Sequence, residues 1–115
     1  MDFSRYENLR ALVRANFSET TQRLVDEALE YADGKLAGVC RYDGAPMLDH
    51  AAAVASIVIS EVGLGRNSAV SSILHDVVRL AHKERPADEF LALTEEIRNR
   101  CGEQVVGITM GLANI

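Results

Sequence analysis

Three histidines, His50, His75 and His82, stand in a chain of 115 residues. His75 is followed directly by Asp76 inside an otherwise apolar run, ILHDVV. A carboxylate in such a run is costly to bury unless it is paired, hydrogen-bonded or bound to a metal. His50 opens the preceding apolar segment, after a loop rich in glycine and proline. If the two segments are antiparallel helices, His50 comes next to His75 and Asp76. Imidazole and carboxylate together suit a divalent transition metal such as manganese, iron or zinc. On spacing alone, a capping histidine and a hydrogen-bonded core aspartate also account for the doublet, and that reading stays open.

The other reactive side chains point to less. His82, in RLAHKER, reads as a surface histidine near a helix end. Asp88, Glu89, Glu95 and Glu96 read as a solvated helix face. Cys40 and Cys101 lie far apart and neither belongs to a CxxC pair. They are expected to be free thiols in a reducing cytosol.

Six helical segments must position these groups, and no strong strand is among them. The first spans Ser4 to Ala15, with Tyr6, Leu9, Leu12 and Val13 on one side. The second spans Glu19 to Ala37, with Ser18 as its N-cap and apolar residues from Leu24 to Ala32 at helical spacing. An irregular stretch from Gly38 to His50 follows, punctuated by Gly38, Asp43-Gly44 and Pro46. The third helix, Leu48 to Val62, is apolar nearly all round and is expected at the centre, ended by Gly63 and Gly65. The fourth runs from a cap at Asn67 or Ser68 to His82, carrying the His-Asp doublet. Pro86 suits the first turn of a fifth helix, which Gly102 terminates. A sixth begins near Glu103 and runs on through VVGITMGLANI without a stop signal, so the chain is expected to be cut from something longer.

Composition narrows the class. Apolar residues make up 48% and charged residues 25%, which suits one compact domain over residues 1–115. Aromatics are only 5% and Trp is absent, so aliphatic residues and alanine supply the packing, which favours helices. The net charge of -5 gives no overall field for nucleic acid or an anionic membrane. No signal peptide is visible, and the longest apolar run, Ala51 to Ile59, is too short to span a bilayer. The expected location is cytoplasmic, and neither nucleic acid nor a membrane is an expected partner.

The order of loop, histidine and His-Asp doublet resembles the N-terminal hydrolase domain of the RelA/SpoT homologue family, the bifunctional (p)ppGpp synthetases and hydrolases of the stringent response. RYDGAPMLDHAAAVASI matches the family's Arg/Gly/Pro-rich segment that ends in a metal-binding histidine, with Arg41, Gly44, Pro46, His50, Val54 and Ala55 in register. SSILHDVVRL matches its HDVVED helix, and EEIRNRCGEQVVGITMG a third stretch. The three keep order over about Ala28 to Gly111, most of the chain. The resemblance implies an all-α, HD-type bundle and makes His50, His75 and Asp76 metal ligands, with Mn2+ as the expected ion. It makes Arg41 a nucleotide-site residue, where a guanidinium stacks on guanine or meets phosphate; a solvated loop cation is the alternative.

Departures from the family's pattern are equally informative. Its catalytic Glu-Asp pair falls on Arg79 and Leu80. In the family those carboxylates are expected to orient the attacking water, with the metal lowering its pKa. Neither Arg nor Leu accepts a proton, although Arg79 could contact a phosphate. The HxGQ segment reads LAGV at Leu36 to Val39, and the loop Lys-Ser reads Tyr42-Asp43, an anion in place of a cation. The family's last metal ligand, a later Asp, would lie beyond Ile115, which leaves three ligands and an incomplete site.

The expectation is therefore an HD domain with hydrolysis lost or much reduced. It would restrain or relay signals to a downstream synthetase domain that transfers pyrophosphate from ATP to GTP. The alternatives are an active metal-dependent pyrophosphohydrolase in the longer protein, or a helical interaction module without chemistry. A guanine nucleotide (ppGpp or GTP) is an expected ligand. An apolar patch on the truncated domain is expected to favour a homodimer of the chain.

Overall fold

The computed structural model describes residues 3–62, 65–84 and 87–113. Among them are six α-helices: α1 (Glu7–Asn16), α2 (Glu19–Lys35), α3 (Met47–Ile57), α4 (Arg66–Glu84), α5 (Ala87–Cys101) and α6 (Glu103–Ala113). The fold is all-α. A one-turn 3-10 helix, Ser4–Tyr6, precedes α1, and a π-helical turn, Val58–Val62, extends α3.

Local chemistry sets the boundaries. Ser18 accepts a hydrogen bond from the Thr21 amide through its side chain (3.3 Å) and so satisfies one of the orphan donors at the start of α2. Gly102, at φ +97, donates its amide to the Arg98 carbonyl (2.9 Å) and closes α5 in a conformation that a Cβ would strain. The expected stop of α3 at Gly63 lies outside the described residues, as does Pro86 before α5; Gly65 is described and stands just ahead of α4.

α4 is the central element, packed against α2, α3, α5 and α6. Ala69, Val70, Ile73, Leu74, Val77, Val78 and Ala81 are all buried on it. α3 contributes Leu48, Ala51, Ala52, Ala55 and Ser56 to the interior. The expectation that α3, apolar nearly all round, lies at the centre is corrected: Ala53 is exposed, and Ile57, one turn on, is 49% exposed. Because α3 packs mainly on α1 and α4, it lies at the flank of the bundle and keeps an open face.

α1 pairs with α2 through Arg10, whose Nε and Nη2 donate to the two carboxylate oxygens of Asp26 at 3.0 and 3.2 Å. The N-terminal turn is fastened to α3 by two donors on Asp49, the Tyr6 hydroxyl (3.1 Å) and Arg5. That junction fixes the first turn of α3, where His50 stands.

Candidate functional site

The loop from Gly38 to Pro46 folds into a narrow hairpin. Arg41 donates its amide to the Ala45 carbonyl (2.8 Å), Gly44 to Arg41 (2.9 Å) and Met47 to Val39 (3.0 Å). Gly38 and Gly44 supply the positive φ angles of +75 and +87 that its turns demand. Asp43 turns back to accept the Ala45 amide (3.0 Å). The side chain of Arg41 lies over the Tyr42 ring (5.6 Å) and 3.9 Å from the Asp43 carboxylate. The Asp43 anion thus sits beside the guanidinium expected to meet a nucleotide. Tyr42 is itself 96% exposed.

His50, half-buried, lies in the first turn of α3, and His75 and Asp76 lie midway along α4. The doublet residues contact each other: His75 Nε2 is 3.4 Å from Asp76 Oδ1. The Nδ1 of His75 is 2.7 Å from the Ser72 carbonyl, which only accepts, so the neutral ring carries its proton there and keeps a lone pair on Nε2. Asp76 is 1% exposed. Its Oδ1 accepts from Arg79 Nη2 at 2.5 Å, one helical turn away, while its Oδ2 is buried without a hydrogen-bond partner.

A divalent metal at the three expected ligands can be weighed against this geometry. Nε2 of His75 and Oδ2 of Asp76 are donors of the right kind. Among the described residues, however, no three His, Cys, Asp or Glu side chains are grouped to hold an ion, so His50 is not brought into one set with the doublet. Oδ1 already carries a guanidinium. As they stand, these residues do not fit a divalent ion.

The neighbouring position is apolar. Leu80 is half-buried and lines a cavity of about 160 Å³ with Lys35, Leu36, Val39, Val77, Ala81 and Leu93. Leu36 and Val39, which replace polar residues of the resembled motif, therefore line the same cavity as Leu80.

The remaining sequence candidates lie apart from this cluster. Cys40 is exposed and Cys101 half-buried, both as free thiols; burial pushes the Cys101 thiol up from its ordinary pKa. Asp88, Glu89 and Glu95 are exposed, and Glu96 accepts from the Tyr31 hydroxyl (3.2 Å). The side chain of His82 lies outside the described residues. Sequence reasoning missed the pairing of Arg79 with Asp76, although their i,i+3 spacing on a helix signals it. It also missed the Arg41–Asp43 contact and the Tyr6–Asp49 fastening.

The chain belongs to the HD-domain family, which matches residues 28–115, from the middle of α2 onward. It is also similar to the probable GTP pyrophosphokinase of Mycobacterium leprae, 32% identical over 103 residues, which is 90% of this chain and 12% of that protein. The chain thus spans about an eighth of that relative's length. No solved structure matches it.

Proposed function

We propose that these residues form the HD domain of a longer RelA/SpoT-like protein, in which (p)ppGpp hydrolysis is lost or much reduced and the domain regulates a synthetase domain downstream. The observation that carries this reading is the state of the two positions that follow HDVV, Arg79 and Leu80. Arg79 neutralises Asp76 where the resembled family has a glutamate, and Leu80 puts an aliphatic side chain into a cavity wall where it has an aspartate. Neither can accept the proton of an attacking water. Similarity to a GTP pyrophosphokinase supports synthesis as the activity of the longer protein.

In this reading Arg41 contacts a guanine nucleotide, ppGpp or GTP, and the partner of the domain is the synthetase domain of its own chain; a second copy is a further candidate partner. The protein works in the cytoplasm; no helix among the described residues is long and apolar enough to cross a membrane.

A second reading keeps hydrolysis, with manganese held by His50, His75 and Asp76 in the full-length protein. The unpartnered Oδ2 of Asp76 favours it. It requires Arg79 to leave Asp76 and another carboxylate to enter.

The regulatory role is tested by comparing pyrophosphate transfer from ATP to GTP in the full-length protein and in a form lacking residues 1–115. A several-fold change in rate on removal supports regulation. Equal rates under all nucleotide conditions refute it.

A further inference from the structure

We propose that Arg79 is a tethered cation that takes the place of a divalent metal on Asp76, so that the doublet takes up a divalent ion only when Arg79 is removed. The proposal goes beyond the regulatory reading and stands whether or not the domain acts on a neighbour.

Two observations carry it. Asp76 is 1% exposed and lies between the buried Leu74, Val77 and Val78, so its charge must be balanced from inside the fold. Its nearest cation is the Arg79 guanidinium, at 2.5 Å on Oδ1.

The chemistry of arginine makes this balance permanent. A guanidinium stays protonated across the accessible pH range, so Asp76 is neutralised without any ion from solution. The i,i+3 spacing preforms the pair whenever α4 is helical. A metal approaching Oδ1 meets a fixed positive charge already in contact with that oxygen. The Arg79 side chain is nonetheless 45% exposed, so it reaches Asp76 from the surface, and truncating it leaves Oδ1 without its cation. His75, with its lone pair on Nε2 and its Nδ1 proton fixed by Ser72, then becomes a ready second ligand.

The test counts Mn2+ bound to the full-length protein by electron paramagnetic resonance of the free aquo ion, which allows for ions held elsewhere in the chain. Wild type and Asp76→Asn should bind equal numbers of ions. Arg79→Ala should bind one more, and Arg79→Ala/Asp76→Asn should return to the wild-type count. One more ion on wild type than on Asp76→Asn overturns the proposal, and this comparison does not need the Arg79 variant to fold. A folded Arg79→Ala that gains no ion overturns it as well, since something other than Arg79 would then exclude the metal.

Discussion

Introducing Arg79→Glu and Leu80→Asp together writes an acid-base pair back into α4, and the structure fixes what the apo fold must lose. Asp76 is 1% exposed and its Oδ1 is held by Arg79 at 2.5 Å. Removing one partner of a buried ion pair costs about 3–5 kcal/mol. Arg79 is 45% exposed, so solvent screens the pair and the lower end applies. A glutamate three residues from Asp76 adds like-charge repulsion of about 0.2–0.5 kcal/mol. Leu80, half-buried in its cavity, gives up about 1 kcal/mol of apolar burial. The double variant should therefore lose about 4–5 kcal/mol, a large share of the about 5–15 kcal/mol typical of a whole domain. Urea unfolding followed by helical circular dichroism in EDTA measures the loss. Mn2+ should restore part of it in the double variant and none in wild type. A loss below about 1 kcal/mol in EDTA would refute the reasoning, because Arg79 would not then be what neutralises Asp76.

Other outcomes follow from the same contacts. Burial, and then the hydrogen bond to Asp49, raise the Tyr6 hydroxyl to a pKa of about 12. The folded state thus holds this proton more tightly than the unfolded one, so the contribution is complete below pH about 10 and lost as pH rises toward 12. Urea titrations from pH 9 to 12 should show wild type losing stability in that window on the order of 2 kcal/mol more steeply than Tyr6→Phe. Ser18→Ala removes the cap of α2 and should cost about 1 kcal/mol in the same unfolding assay.

Much of the helical frame is legible in the residues. The apolar spacing of α2 and α4, the Ser18 cap and the Gly102 stop all express local rules, and the structure follows them. The π-helical turn at Val58–Val62 was not legible from apolar content, which suits any helix. Ser56 and Ser60 there turn their hydroxyls back to the carbonyls of Ala52 and Ser56, a competition that loosens regular helix geometry. The split of the first helix at Tyr6 depends on Asp49, 43 residues away, and so is a tertiary fact. At the site, the chemistry of the doublet was visible in ILHDVV, and its neutral balance was not. Arg79 reads as a surface cation free to meet phosphate until the burial of Asp76 is known. Likewise Asp43 reads as a turn residue until the hairpin sets it beside Arg41.

The most direct test of the central claim is pyrophosphate release from ppGpp by the full-length protein in the presence of Mn2+. The account predicts no release above the level of a His75→Ala variant. Clear turnover in wild type that disappears in His75→Ala would contradict it, because a site carrying Arg79 and Leu80 would then still be a working hydrolase.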